Sequence, residues 1–175
     1  MKTNIVLIGF MGAGKTAVGK TLADRLGRKL VEMDRLIAEW ASKPITKIFE
    51  EDGEIAFREL EIEVAREVAR GRNMVVACGG GIVLNKINID RLKENGRVVY
   101  LRATPEAILK RIAGSNDRPL LDTPDRTLKI RELMVFRKPF YERAADIRVN
   151  TTNFSIDNVA EKIIRKLGED ESFCF

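Results

Sequence analysis

The segment Gly9–Thr16 reads GFMGAGKT and matches the pattern G-x-x-x-x-G-K-[ST] at every fixed position. Glycines in such a loop let successive backbone N–H groups turn inward around a chain of phosphates, and the positive end of the following helix adds to the attraction. Lys15 would supply a point charge for the outer phosphates, and the Thr16 hydroxyl a ligand for Mg²⁺. We therefore predict a nucleotide-phosphate site, because a glycine turn without a ligand would explain neither Lys15 nor Thr16.

Two carboxylates, Glu32 and Asp34, stand at the end of the second apolar run, VEMD. If the strand continues through Asp34, both side chains point the same way, because side chains alternate along a strand. One carboxylate can then hold a metal ion or its water, and the other can accept a hydrogen bond from an incoming hydroxyl. The alternative is a solvated acidic pair that begins the next helix, with Asp34 as its N-cap.

Three arginines stand in segments that suit the binding of an anion: Arg58 in FRELE, Arg118 in GSNDRPLL and Arg137 in FRKPFYERAAD. A guanidinium pairs bidentately with a carboxylate or a phosphate. The turn-rich loop around Arg118 can close over a site and exclude water, as a kinase requires. Spacing alone favours a surface salt bridge of Arg58 with Glu54 or Glu61, and it is equally compatible with solvated charges at Arg118 and Arg137.

Apolar β-branched runs alternate with helical patterns along the chain. The runs predict five strands, over Asn4–Ile8, Lys29–Met33, Met74–Cys78, Arg97–Leu101 and Ile147–Asn150. The helical patterns predict helices over Lys15–Leu26, Leu36–Ser42, Ile55–Arg70, Ile89–Glu94, Pro105–Ala113, Asp125–Ala144 and Ile156–Leu167. This alternation predicts a parallel sheet with helices on both faces, and ligands at the carboxyl ends of its strands. We expect Thr104 to cap a helix, Pro139 to break or kink one, and the tail 168–175 to be frayed.

The composition indicates one soluble globular domain, residues 1–175, with 45% hydrophobic and 33% charged residues. The net charge of +5 is compatible with an anionic ligand such as a nucleotide. Basic and acidic residues are interleaved, so we expect no nucleic-acid partner. No apolar run approaches the ~20 residues that span a bilayer, and Cys78 and Cys174 show no disulfide or metal spacing. We therefore expect a cytoplasmic protein with no membrane contact.

Taken in order, several motifs together resemble the shikimate kinase family over about Ile5 to Leu167: GFMGAGKT, Asp34, FRELE, GGG, RPLL and the Arg–Tyr–Ala–Asp series of FRKPFYERAAD. The resemblance implies an α/β fold of the P-loop NTPase class and nucleoside-monophosphate-kinase type. It further implies a five-stranded parallel sheet flanked by helices and a mobile lid at about residues 113–124. The implied reaction is transfer of phosphate from ATP to the 3-hydroxyl of shikimate, giving shikimate 3-phosphate and ADP, in the chorismate pathway of aromatic amino-acid synthesis. The expected substrates are ATP and shikimate, the cofactor is Mg²⁺, and we expect a monomer.

The same resemblance assigns roles to residues. ATP phosphates would contact P-loop residues and one lid arginine, namely Gly12, Ala13, Gly14, Lys15, Thr16, Ala17 and Arg118. Shikimate would contact Asp34, Arg58, Gly79, Gly80, Gly81 and Arg137. The catalytic set would be Lys15, Asp34 and Arg118, with Asp34 orienting the attacking hydroxyl and placed to take its proton.

The metal ligands implied by the resemblance are Thr16 and Glu32. The family commonly has Asp-x-Asp at the end of the second strand, whereas this chain has Glu32, Met33 and Asp34. Glutamate is one methylene longer, so a contact with a metal-bound water would have altered geometry. The segment that contacts adenine would lie near Thr151–Phe154.

Gly79, Gly80 and Gly81 follow a strand that ends in Cys78, and apolar residues resume directly after them. A tight strand-to-helix turn would use the φ freedom of one or two glycines, but it does not readily explain three. With the implied acceptor, the three glycines become a backbone wall of its site. We expect a Cβ at Gly80 to intrude on the bound ring.

Two other functions remain open. One is a kinase for another small carboxylate-bearing alcohol such as gluconate, or for a nucleotide. The other is a non-catalytic nucleotide-binding switch. A GTP switch would need an Asn-Lys-x-Asp element, but the nearest match, NKIN at 85–88, ends in Asn and follows the wrong strand. The Asp-x-x-Gly match DRLG, at 24–27, lies inside the first predicted helix, where it cannot meet a γ-phosphate.

Overall fold

The computed structural model describes residues 1–113 and 125–175. The strands are β1 (Asn4–Ile8), β2 (Lys29–Glu32), β3 (Met74–Ala77), β4 (Gly96–Arg102) and β5 (Ile147–Asn150). The helices are α1 (Lys15–Leu26), α2 (Met33–Ala41), α3 (Ile45–Lys47), α4 (Gly53–Arg70), α5 (Lys86–Asn95), α6 (Pro105–Ile112), α7 (Arg126–Ala144) and α8 (Ile156–Gly168). A π-helical segment, Ile48–Asp52, joins α3 to α4, and a 3₁₀ turn, Ile82–Leu84, precedes α5.

The five strands form one sheet in the order β2-β3-β1-β4-β5, and every pair is parallel. Every residue of β1 is buried, which explains its unbroken apolar sequence at the centre of the sheet. The predicted five-stranded parallel sheet flanked by helices is therefore confirmed. Since all strands run the same way, the loops after β1, β2 and β3 meet at one edge of the sheet.

Glycines and short polar side chains fix the ends of several helices. Gly14 and Gly27 flank α1 with φ of 100° and 61°, a left-handed backbone that favours glycine, and the observed bounds of α1 equal the predicted ones. The Thr104 hydroxyl accepts a hydrogen bond from the Ala107 N–H at 3.3 Å, as predicted. The Asp125 carboxylate caps α7 in the same way, through the Leu128 N–H at 2.9 Å.

The end of β2 differs from its prediction. The strand stops at Glu32, and Asp34 lies in the first turn of α2. Met33 is fully buried, and a buried apolar residue suits the end of a strand and the start of a helix equally well. The argument that Glu32 and Asp34 point the same way along a strand is therefore wrong, and so is the alternative of an Asp34 N-cap, because Glu32 occupies that position.

Pro139 does not break its helix, since α7 runs from Arg126 to Ala144 through it. Proline removes one backbone hydrogen bond inside a helix and disfavours the preceding turn. Arg137 and Tyr141, on either side of the proline, are 3% and 1% exposed. Their burial holds both ends of the turn against the body of the protein and keeps the helix continuous.

The C-terminal tail is bound rather than frayed. Phe173 pairs with Lys2 in a parallel bridge, in which the Lys2 N–H donates to Ser172 O at 2.9 Å and the Cys174 N–H donates to Lys2 O at 2.9 Å. The Phe173 ring is only 6% exposed. The expectation of a frayed tail is therefore wrong, because burial of the Phe173 ring and the bridge to Lys2 hold the tail in place. Within the described ranges, no helix has both the length and the apolar character that crossing a membrane requires.

Candidate active site

A cavity of about 1040 Å³ opens at the carboxyl edge of the sheet. The described residues that line it include the P-loop and the start of α1, the end of β2 and the beginning of α2, Gly80, and the loop that follows β5. The structure therefore brings most of the predicted ATP residues to one cavity with Glu32, Asp34 and Gly80. Arg118, and the lid apart from Ala113, lie outside the described residues.

The P-loop backbone adopts positive φ angles at its glycines, a conformation that favours glycine. Gly12 and Gly14 have φ of 76° and 100°, where a side chain would be strained. A Cβ on Gly12 would lie 2.7 Å from Ile112 Cγ2, so α6 also requires a glycine there. The Lys15 ammonium donates to Gly9 O at 2.9 Å and to Phe10 O at 3.0 Å, which curls the side chain over the loop. Thr16 is exposed in the first turn of α1, where its hydroxyl is accessible to a metal–nucleotide complex.

The two carboxylates reach the cavity from different elements. Glu32 lies at the end of β2 beside Ala77 of β3, and Asp34 lies in the first turn of α2. A Cβ on Gly79 would lie 2.6 Å from Asp34 Oδ1, so the backbone of Gly79 is packed directly against that carboxylate. Among the described residues, no three Asp, Glu, Cys or His side chains are grouped to hold a metal ion on their own. A metal ion held by Thr16 and Glu32 would thus depend on phosphate oxygens and water for its other ligands, as Mg²⁺ usually does.

Arg58 is partly buried and pairs with a buried glutamate that was not predicted as a site residue. Its Nη1 donates to Glu61 Oε2 at 3.0 Å and its Nη2 to Glu54 Oε1 at 3.0 Å, so both salt bridges of the alternative interpretation form. Glu61 is 1% exposed. Burial raises the pKa of Glu61 above its usual range, although the neighbouring Arg58 guanidinium opposes the shift. From sequence, i and i+3 spacing on a helix looks the same for a surface pair and for this buried one.

Arg137 is the second arginine of the site and, unlike Arg58, is buried. It projects from α7, and its guanidinium lies 5.9 Å from the ring centroid of Phe10 in the P-loop. A Cβ on Gly80 would lie 3.6 Å from Arg137 Nη1 and 3.5 Å from the Met11 nitrogen. The P-loop, the glycine segment and α7 therefore converge at Gly80. Arg137 Nε is buried and makes no hydrogen bond within the described residues.

The three consecutive glycines have three different neighbours. None of them has a positive φ, so the turn interpretation based on φ freedom is wrong for this segment. Gly79 makes room for Asp34, and Gly81 makes room for Arg58, whose Nη2 would lie 2.6 Å from an added Cβ. Gly80 lines the cavity, and a Cβ there would meet only ordinary contacts with protein atoms. Any intrusion at Gly80 would consequently be on a ligand rather than on the protein.

The loop that follows β5 is tied to the P-loop by Arg111, a residue that the sequence analysis missed. Arg111 donates to Thr151 O at 2.5 Å and to Gly12 O at 3.2 Å. The Thr151 hydroxyl in turn donates to Ala13 O at 3.1 Å. In the sequence, Arg111 is simply one of two basic residues in the last turn of α6. These bonds place the segment expected to contact adenine against the phosphate loop, with Phe154 lining the same cavity.

A phosphate loop after the central strand of a parallel sheet shares one cavity with two carboxylates and with Gly80, and the buried Arg137 lies beside Gly80. This arrangement defines a P-loop phosphotransferase for a small acceptor. The model of the family described as shikimate kinase matches residues 11–168. The chain therefore belongs to the shikimate kinase family, which confirms the resemblance seen in its sequence.

Similar proteins cover nearly the whole chain. A shikimate kinase of Caldanaerobacter subterraneus subsp. tengcongensis is 45% identical over 93% of this chain and 94% of its own length. One from Symbiobacterium thermophilum is 45% identical over 95% of this chain and 97% of its own. Among solved structures, shikimate kinase from Acinetobacter baumannii in complex with shikimate superposes with a TM-score of 0.93, at 36% identity, over 98% of this chain and 96% of that one. Shikimate kinase from Aquifex aeolicus gives a TM-score of 0.82, at 32% identity, over 95% and 96%. The predicted fold class and kinase activity are thereby confirmed.

Proposed function

We propose that this enzyme transfers the γ-phosphoryl group of ATP to the 3-hydroxyl of shikimate, yielding shikimate 3-phosphate and ADP. The observation that carries the proposal is the cavity that joins the P-loop to Asp34 and Gly80, with the buried Arg137 beside Gly80. Membership of the shikimate kinase family supports it, as does the likeness to a relative solved in complex with shikimate.

The acceptor half of the site recognises a ring that carries both a carboxylate and hydroxyls. Arg58 and Arg137 bind the carboxylate, because a planar guanidinium matches its two oxygens better than an ammonium does. Asp34 accepts a hydrogen bond from the attacking hydroxyl, orients its oxygen and can take its proton. Gly80 keeps the wall beside the ring free of a side chain, and Gly79 and Gly81 leave room for Asp34 and Arg58 on either side of it. In this arrangement most of the rate enhancement comes from positioning and charge.

The nucleotide half holds the phosphates with backbone N–H groups of Gly12–Ala17 and the ammonium of Lys15. Kinases of this kind use a divalent metal, and we propose Mg²⁺. The oxygen atoms of Thr16 and Glu32 fit it, since Mg²⁺ prefers hard oxygen ligands and keeps several waters. When bound, Mg²⁺ would neutralise phosphate charge. The proposed role of Arg118, to reach the ATP phosphates from the lid, stays a prediction, as do the adenine contact near Thr151–Phe154, a monomeric state and a cytoplasmic location.

A coupled assay of ADP release separates the candidate functions. Shikimate, gluconate and nucleoside monophosphates would be compared as acceptors at saturating ATP and Mg²⁺. Turnover with shikimate alone is the expected result. Turnover with gluconate or a nucleotide instead of shikimate would contradict the proposed acceptor. Nucleotide binding without acceptor-dependent turnover would support a non-catalytic switch.

The matched control for this assay is Lys15→Ala. We expect its kcat to fall by roughly 10²-fold or more, because a charge that stabilises the transferred phosphoryl group is lost. Circular dichroism should show an unchanged fold. An unchanged kcat would contradict the phosphate role of Lys15.

A further inference from the structure

A buried tyrosine joins two elements of the acceptor half of the site. Tyr141 lies on α7, one helical turn after Arg137, and is 1% exposed. Its hydroxyl donates to the carbonyl oxygen of Gly80 at 2.5 Å. The Arg137 guanidinium approaches the same peptide, since its Nη1 would lie 3.6 Å from a Cβ on Gly80, and its charge acts on the hydroxyl by opposing the rise that burial causes in the pKa of Tyr141. The phenol oxygen thus bonds Gly80 at the point where the buried arginine approaches the glycine segment.

The phenol is chemically complementary to both neighbours. A phenol has one O–H to donate and lone pairs to accept with. Its proton is used by the Gly80 carbonyl, which leaves the oxygen as an acceptor for an N–H of Arg137. Burial raises the pKa of Tyr141, so the hydroxyl remains protonated and keeps the donor that the carbonyl needs. Because the peptide unit is planar, fixing the Gly80 carbonyl also fixes the Gly81 N–H.

The ring of Tyr141 is held independently of its hydroxyl. It stacks on Tyr100 of β4, with centroids 4.9 Å apart and an interplanar angle of 18°. Packing of the two rings is therefore sufficient to fill this part of the core. A ring placed only for packing would not need an oxygen directed at Gly80, beside Arg137.

We propose that the Tyr141 hydroxyl is a positioning group that fixes the Arg137 guanidinium against the Gly80 peptide, so that the carboxylate of the acceptor meets an arginine already held in place. Preorganisation of this kind lowers the entropy lost on binding and keeps the reacting groups aligned. The inference rests on the proposed function, because it assumes that Arg137 and Gly80 receive a carboxylate-bearing acceptor.

Tyr141→Phe tests the proposal, and Tyr100→Phe is its matched control. Both variants keep the stacked rings and lose one hydroxyl, but only Tyr141 bonds Gly80. We expect Tyr141→Phe to raise the KM for shikimate roughly 10-fold and to leave the KM for ATP nearly unchanged, with a melting temperature lower by only a few degrees because the Gly80 carbonyl loses its partner. Tyr100→Phe should leave both KM values within about 2-fold of wild type. An equal rise in KM for both variants, or a lower melting temperature of Tyr141→Phe with an unchanged KM, would overturn the positioning role.

A second acceptor, without a carboxylate, shows whether Tyr141→Phe acts through Arg137 or disturbs the whole acceptor site. For the primary amide of shikimate, which lacks the anionic charge, we expect Tyr141→Phe to change KM by less than about 3-fold. A loss as large as with shikimate would contradict the proposal. Wild-type turnover on shikimate, measured first, tests the proposed function separately.

A measurement on the otherwise unaltered protein covers the case in which Tyr141→Phe does not fold. The chain has only two tyrosines, so labelling with 3-fluorotyrosine gives two ¹⁹F resonances, which Tyr100→Phe assigns. Adding shikimate should shift the Tyr141 resonance more than that of Tyr100. Equal shifts, or no shift of the Tyr141 resonance, would count against the inference.

Discussion

At the residue scale, the glycine segment shows how the same residue type serves different neighbours. Gly79 and Gly81 are required by side chains of the protein, Asp34 and Arg58, which lie where a Cβ would be. Gly80 instead faces the cavity and has no protein atom closer than 3.5 Å to an added Cβ. Substitution at the three positions should therefore separate folding from binding.

We predict that Gly80→Ala raises the KM for shikimate by roughly 10-fold or more and leaves the melting temperature nearly unchanged, because the new methyl group meets the ligand but makes only ordinary contacts with protein atoms. Gly79→Ala, the matched variant, should lower both kcat and the melting temperature, because its methyl group displaces the Asp34 carboxylate. Steady-state kinetics and thermal unfolding measure both effects. If Gly80→Ala were as unstable as Gly79→Ala, Gly80 would be required for folding rather than for binding the acceptor.

The buried carboxyl of Glu61 gives a prediction about pH. Burial raises its pKa in the folded protein, with Arg58 opposing. The unfolded value is about 4.3, so over the interval between the two pKa values the folded state holds a proton that the unfolded state has released. The free energy of unfolding must therefore fall as pH rises through that interval.

We compare the free energy of unfolding of wild type with that of Glu61→Gln at each pH. Relative to the variant, which lacks this titration, the wild-type value should fall as pH rises above about 4. Urea unfolding at a series of pH values measures the difference. Glu54→Gln is the control, since Glu54 pairs with the same arginine but its side chain is 51% exposed. If the free energy of unfolding of wild type instead rose with pH relative to that of Glu61→Gln, the carboxyl would be stabilised in its charged form.

At the element scale, α7 carries both Arg137 and Tyr141 but begins far from them. Its N-cap is Asp125, three helical turns before Arg137. We predict that Asp125→Ala lowers the free energy of unfolding by about 1 kcal/mol, because the Leu128 N–H loses its partner. The KM for shikimate should stay within about 2-fold of wild type. Thr127→Ala, an exposed change in the same turn, should not lower stability. A large rise in KM for Asp125→Ala would show that the cap and the acceptor site are coupled.

Elements with strong local signals could be predicted from sequence, and contacts between distant segments could not. The bounds of β1 and α1 follow from an apolar run and two glycines. The end of β2 does not, because a buried Met33 suits either structure. Tyr141 forms part of a family motif in the sequence, but its bond to Gly80 joins residues 61 positions apart, and helix periodicity carries no such information. The P-loop was predictable because its chemistry lies within eight consecutive residues.

At the scale of the whole molecule, the sheet separates two tasks. Its carboxyl edge carries the cavity, whereas the tail binds at the opposite edge, beside the residues that precede β1. Phe173 is buried there, and the Arg28 guanidinium lies 5.4 Å from its ring centroid. Arg97 at the start of β4 adds an ion pair with Asp170, at 2.7 Å. The tail therefore stabilises the end of the sheet that has no part in catalysis.

We predict that Phe173→Ala lowers the free energy of unfolding by about 3 kcal/mol, because a buried aromatic ring is removed and the bridge to Lys2 is weakened. For a chain of this length such a loss corresponds to a melting temperature lower by roughly 6–12 °C. Phe175→Ala is the matched control, since that ring is 53% exposed, and it should change stability by less than about 1 kcal/mol. Below the lower melting temperature, kcat and both KM values of Phe173→Ala should equal those of wild type. A change in KM for shikimate without a loss of stability would mean that the tail communicates with the active site across the sheet.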